Sequence, residues 1–150
     1  MSYRKPYFLG AASVVLAAVA LRAFSAGIPP PSQPEPARTP EHSGPSSDGR
    51  YLFEWESDPD PLPLNQDFSL RVRVRSTGPQ GDARGLKLLA DARMPEHDHG
   101  MLQAPRVTEL APGEFLVEGM RFHMPGRWVI RLELQGKQRS ALETSIHVDP

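Results

Sequence analysis

The chain contains no cysteine. That absence excludes a disulfide framework, a thiolate zinc site and a catalytic thiol together. An excess of charge of either sign is also lacking: 17 Lys and Arg stand against 18 Asp and Glu, for a formal net charge of -1. Neither end carries a long basic or acidic run, so the electrostatic footprint of a nucleic-acid binder is missing and no such partner is expected. No long helical period and no internal repeat is present. Neither a Ser-His-Asp order nor a paired-carboxylate motif stands out, which argues against an enzyme. At 150 residues, one domain with extensions is the natural expectation.

What is present begins with an apolar run. Arg4 and Lys5 precede Tyr7 to Leu21 (YFLGAASVVLAAVAL), which holds no charged residue, and Arg22-Ala23-Phe24-Ser25-Ala26 follow. A charged start, a short apolar centre and a small-residue finish mark a secretory signal. The run falls short of the roughly 20 residues that span a bilayer comfortably as a helix. Cleavage after Ser25 would place Ala23 and Ser25 at the two small-residue positions, but Arg22 just beyond the run is awkward for it, and an uncleaved signal anchor is the alternative. With positive charge kept inside, either outcome sends the remainder outward. Residues 1–26 therefore read as a signal peptide or signal anchor. The remainder reads as extracytoplasmic, periplasmic or at the cell surface, and either secreted or held to the membrane by one N-terminal segment.

Residues 27–49 (GIPPPSQPEPARTPEHSGPSSDG) hold seven of the 17 prolines and few apolar side chains. Such a stretch buries too little surface to offset its ordering entropy, and a Pro-rich disordered tether is expected, with His42 a solvated linker histidine.

From Arg50 the pattern changes to period two, the spacing of strands with one buried face. Tyr51, Phe53 and Trp55 alternate with Leu52, Glu54 and Glu56; Phe68, Leu70, Val72 and Val74 alternate with Ser69, Arg71, Arg73 and Arg75. Leu86, Leu88, Ala90, Ala92 and Met94 form another face, opposed by Lys87, Asp91 and Arg93. Glu114 to Phe122 reads as a strand with Gly119 as a bulge. Trp128, Ile130, Leu132 and Leu134 form the next face, and Leu142, Thr144, Ile146 and Val148 the last. A short strand near Arg106 to Glu109 rests on Val107 and Leu110. Proline and glycine turns separate the segments. About seven strands without a helix, over residues 50–150, is the pattern of an immunoglobulin-like β-sandwich, with Phe68, Leu70, Val72, Trp128, Ile130 and Leu132 in its core.

Two motifs interrupt this regular pattern: MPEHDHGM (Met94 to Met101) and FHMPG (Phe122 to Gly126). Three of the five histidines, and every methionine except the initiator, lie between positions 94 and 124. If strands alternate in direction, the first, third, fifth and seventh finish at one end. MPEHDHGM follows the third and FHMPG the fifth, so both meet at one pole, shared by the Asp58 to Asp60 loop and His147. Without the short strand they would lie at opposite poles.

His97 and His99 are two apart, so in extended backbone their imidazoles leave the same side and can chelate together. Thioether sulfur suits Cu(I), and imidazole suits both Cu(I) and Cu(II). The candidate ligand set is His97, His99 and His123, with Met101 and Met124 as supplementary sulfur ligands. Turn capping is the alternative for His97 and His99, and core packing the alternative for Met101. Met94 and Met120 continue inward faces and are assigned to the core. Asp98 faces solvent or orients an imidazole.

MPEHDHGM, then GMRFHMPG, then RWVIRLEL resembles the YtkA-like domain family, related to the FixH-like proteins, over Tyr51 to Val148. Those exported or membrane-anchored domains carry an MPxHxHGM-type motif and a later M-x-G-x-W strand. The resemblance implies an immunoglobulin-like fold, an extracytoplasmic setting and a link to copper handling or to assembly of copper-containing respiratory enzymes. Separately, 21 residues separate Met101 from His123, as in one part of the periplasmic copper chaperone pattern. That pattern's upstream histidine and H-x-M ending are absent here.

The sequence thus points to an exported, membrane-tethered domain that holds or delivers copper and catalyses no reaction. Its expected partners are a copper-containing membrane enzyme or another copper carrier. Two alternatives stay open: an interaction module that docks on a membrane complex without metal, and a His₃ zinc enzyme with an open water position.

Overall fold

The computed structural model describes residues 42–78 and 85–150. The expected signal or anchor lies outside the described residues, as does the tether from 27 to 41. Among the described residues nine strands follow in order: β1 (His42–Pro45), β2 (Tyr51–Asp58), β3 (Asp67–Ser76), β4 (Lys87–Met94), β5 (His99–Gly100), β6 (Arg106–Ala111), β7 (Glu114–Arg121), β8 (Gly126–Gln135) and β9 (Ser140–Val148). They form two antiparallel sheets, β1-β2-β3-β7-β6 and β5-β4-β8-β9, packed as a β-sandwich.

Alternation explains which faces meet. Phe53 and Trp55 of β2, Phe68, Leu70, Val72 and Val74 of β3, and Phe115 and Val117 of β7 turn inward from one sheet. Leu88, Ala92 and Met94 of β4 and Trp128, Ile130, Leu132 and Leu134 of β8 face them from the other. Each fully buried large side chain of this kind contributes about 1.5–3 kcal/mol relative to exposure. The intervening positions carry charge outward: Arg75 Nη2 lies 3.2 Å from Glu54 Oε2, and Arg73 Nε 3.6 Å from Glu114 Oε1.

Seven strands coincide with the period-two segments, and two more appear. Residues 42–45, expected within the tether, are instead a strand: β1 pairs with β2 from His42↔Trp55 to Pro45↔Leu52. His42 is no solvated linker residue, because its ring stacks on Trp55 at 3.9 Å with 16° between the planes. Proline content concealed this, since a strand at a sheet edge tolerates Pro45. The folded unit accordingly starts before Arg50. The second addition, β5, is a two-residue return beside β4. In β6, Val107 is half-buried while Leu110 is exposed, so the short strand forms mainly by pairing with β7.

The bulge in β7 falls where glycine marks it. Phe68 pairs with Met120 but Ser69 with Glu118, leaving Gly119 as the extra residue at φ 79°. Only glycine adopts that conformation at no steric cost. The extra residue moves the inward positions from Phe115 and Val117 to Met120 and Phe122. Strands β5 and β6 both run away from the pole where β4 ends, so β7 returns to it. The two motifs therefore arrive at the same pole.

Candidate metal centre

The first motif folds as a hairpin. Arg93 pairs with Gly100 and Met94 with His99, leaving Pro95 to Asp98 as the connecting loop. His97 N donates to the Met94 carbonyl at 3.2 Å, and Asp98 takes φ 52°. That is the left-handed region, where aspartate is better tolerated than most residues. The extended geometry expected for His97-Asp98-His99 is thereby corrected: the chain must reverse here, so it turns at Asp98. His97 sits exposed at the tip, while His99 is a half-buried strand residue rather than part of a loop.

Hydrogen bonds fix the hairpin, one within it and others to neighbouring strands. Arg127 Nε donates to Glu96 Oε1 at 2.6 Å, and this hydrogen bond holds the Glu96 carboxyl below its usual range. Met101 N donates to the Ala92 carbonyl at 3.1 Å. Gln103 Nε2 donates to the Gly119 carbonyl at 2.8 Å and to Asp67 Oδ1 at 3.3 Å, tying the hairpin exit to the bulge.

The second motif leaves β7 through fully buried Phe122, whose carbonyl accepts from Asn65 N at 2.8 Å. Trp128 Nε1 then donates to the Met124 carbonyl at 3.0 Å, fixing the connection into β8. Gly126 closes it at φ 121°, where a Cβ would also lie 3.2 Å from Met94 Cε. Met94 and Met120 are 2% and 0% exposed, as core residues should be. Met101 and Met124 are half-buried and pack against the core.

The two motifs bring their histidines together. The ring centroids of His97 and His99 are 5.8 Å apart, and those of His99 and His123 are 5.0 Å apart. Buried Trp128 meets both inner rings edge to face, at 6.0 Å from His99 and 5.5 Å from His123. His99 Nδ1 lies 3.3 Å from the Gly100 carbonyl. Protonated there, the ring donates to that oxygen and keeps the Nε2 lone pair free. His123 Nδ1 is buried and has no hydrogen-bond partner. Leaving such an atom unsatisfied costs about 1–3 kcal/mol, and Trp55 Nε1 and Ser57 Oγ are buried without a partner in the same way.

His147 and the Asp58 to Asp60 loop also reach this pole but face solvent. His147 stands opposite Arg127 on β9, 69% exposed, with Nε2 3.7 Å from Asp149 Oδ1. Asp58 and Asp60 are exposed. Asp98 is exposed as well, the first of the two placements expected for it. Beside His99 a surface groove of about 310 Å³ is lined by Arg93, Pro95, Asp98 and Gly100 among others. Among the described residues, no group of three or more His, Cys, Asp or Glu is placed to hold a metal ion. No family model matches the chain, and no curated protein or solved structure matches it either.

Sequence reasoning missed the supporting residues Trp128, Glu96 and Gln103. Trp128 was legible only as an inward residue; its second task as a hydrogen-bond donor to the connection depends on tertiary placement. Gln103 carried no signal, since its partners lie on two other strands.

Proposed function

We propose that this protein is an exported copper-holding domain, acting in copper handling or in assembly of a copper-containing membrane enzyme, and that it catalyses no reaction. The observation that carries the reading is the buried, unpartnered Nδ1 of His123 beside the His99 ring, 5.0 Å away. Two imidazoles bonded at ~2.0 Å to one ion at a tetrahedral angle have centroids roughly 5 Å apart, so this spacing fits one shared ion. His99 Nε2 and His123 Nδ1 are the nitrogen donors, with His97 beside them. Met101 and Met124 supply thioether sulfur from the same two motifs. A site of two imidazoles completed by thioether is not a cage of three acidic, thiol or imidazole groups, and it suits copper rather than zinc.

The strand order supports the finer fold assignment. With β1 and β5 set aside, the sheets read first-second-fifth-fourth and third-sixth-seventh, the arrangement of an immunoglobulin constant-type sandwich. The resemblance to YtkA-like domains belongs to the same proposal, since two of the motifs that carry it form the hairpin and the loop of the candidate centre. An N-terminal anchor would hold the domain on the outer side of the membrane, close to a membrane enzyme or another copper carrier.

Metal content of the protein purified from its own exported fraction tests the reading. About one copper per chain is expected, with tight binding lost in the variant carrying His99→Ala and His123→Ala. Full affinity in that variant, with its fold intact, would make the cluster structural and leave the docking-module alternative.

A further inference from the structure

The three imidazoles form a series of increasing enclosure rather than equivalent ligands. His99 is the middle member, because its ring contacts His97 at 5.8 Å and His123 at 5.0 Å. His97 is exposed at the hairpin tip, His99 is half-buried in β5, and His123 is half-buried with its Nδ1 fully enclosed. Trp128 backs the two inner rings from the core. The tip itself is held in place: His97 N is bonded to the Met94 carbonyl and the neighbouring Glu96 is bonded to Arg127 at 2.6 Å. An exposed ring on an anchored turn, one contact away from the holding pair, is poorly suited to retain an ion. It is well suited to meet one.

We infer that His97 is the exchange ligand of the copper site, through which the ion passes between the inner pair and an outside donor or acceptor. The inference rests on the copper reading above. Its partner class is a copper complex whose own ligands are soft or imidazole-like, presented to the pole. In the loading direction a bond from copper to a His97 ring nitrogen forms while one bond to the donor's ligand remains. The donor bond then breaks as bonds to the His99 and His123 nitrogens form, and the bond to His97 breaks last, leaving copper on the inner pair. Copper keeps its oxidation state throughout, so no electron moves. A proton leaves to solvent only where an imidazolium must first become neutral imidazole. Unloading follows the same steps in reverse. His97 therefore speeds both directions equally and leaves the equilibrium constant unchanged.

The test compares rates with affinity in the 150-residue chain. Cu(I) is transferred from its complex with bicinchoninate and withdrawn again by excess bicinchoninate, both followed by stopped-flow absorbance. His97→Ala is expected to slow both directions by about tenfold, equivalent to roughly 1.4 kcal/mol of barrier, with little change in the dissociation constant. His97→Met, which restores a soft donor at the tip, is expected to recover the rate. If His97→Ala instead lowers affinity as His99→Ala does, His97 is a holding ligand and the exchange role is wrong while the copper reading stands. Unchanged rates and unchanged affinity likewise overturn the exchange role alone. Failure of the unaltered chain to bind Cu(I) overturns the inference, and failure to bind Cu(II) as well removes the copper reading with it.

Discussion

Ser140 Oγ donates to Asp48 Oδ2 at 2.5 Å, joining residues 92 positions apart. Arg50 Nε and Ser46 Oγ donate to the same carboxylate at 2.8 and 2.7 Å, and Arg50 Nη2 reaches Ser140 Oγ at 2.8 Å. The turn after β1 in one sheet is thus locked to the first residue of β9 in the other.

That lock has a pH signature. Hydrogen bonds from Ser140 first, then Arg50 and Ser46, hold the Asp48 carboxyl well below the usual carboxylate range. A folded-state value lower than the unfolded one, ~3.9, stabilises the fold fully above that value. The contribution is lost as pH falls through it toward the folded value. Asp48→Asn is expected to lower the denaturant midpoint at pH 7 and to flatten the loss of stability between about pH 5 and pH 3. Identical acid slopes in the two proteins would count against this.

The core makes a second prediction. Leu132 is fully buried in β8, the strand flanked on both sides by β4 and β9. Leu132→Ala removes packing on a site that can collapse little, and a loss of about 2–5 kcal/mol is expected. Leu102, 82% exposed, is the matched control, where truncation should change stability by no more than about 0.5 kcal/mol. Comparable denaturant midpoints for both variants would contradict the packing described.

Gly126 and Gly49 separate two kinds of glycine requirement. Both have positive φ, 121° and 70°, but a Cβ at Gly49 meets nothing within 4 Å, whereas at Gly126 it meets Met94 Cε at 3.2 Å. Gly126→Ala is expected to cost on the order of 1–3 kcal/mol from backbone strain alone, with added displacement of Met94. Gly49→Ala should cost less. Combining Gly126→Ala with Met94→Ala should be less damaging than the sum of the two, because the second change removes the obstacle. Simple additivity in thermal unfolding would show that Met94 does not feel position 126.

Much of this arrangement was legible in period-two patterning. Phe68 to Val74 and Trp128 to Leu134 alternate so regularly that their inward faces follow from side-chain direction alone. Gly119 announced its bulge by being a glycine in a strand. The shared pole followed from strand parity, which depended on a short strand with one half-buried apolar residue, Val107. What stayed hidden is tertiary or compositional. β1 lies in proline-rich sequence and is held by a stack of His42 on Trp55. The turn at Asp98 is a left-handed residue between two histidines, where the residue types fit an extended run equally well. The enclosure of His123 Nδ1 depends on how two loops from different strands close on Trp128.

The mixed donor set makes the last prediction. Imidazole nitrogen serves Cu(II) and Cu(I), whereas thioether sulfur favours Cu(I). His97→Ala with His99→Ala should therefore abolish tight Cu(II) binding. The fold should survive, because His97 is exposed and His99 lies outside the core cluster. Met101→Leu with Met124→Leu keeps the side-chain volume, and such swaps usually cost less than about 1.5 kcal/mol of stability. It should weaken Cu(I) more than Cu(II), since only the sulfur is lost. Protons compete for neutral imidazole, so acidification should weaken Cu(II) binding more steeply than the Cu(I) affinity carried by sulfur. Competition against a chromophoric chelator for each oxidation state, at two pH values, reads all three effects. Equal loss of Cu(I) and Cu(II) in the methionine variant would remove Met101 and Met124 from the ligand set and leave them as packing residues.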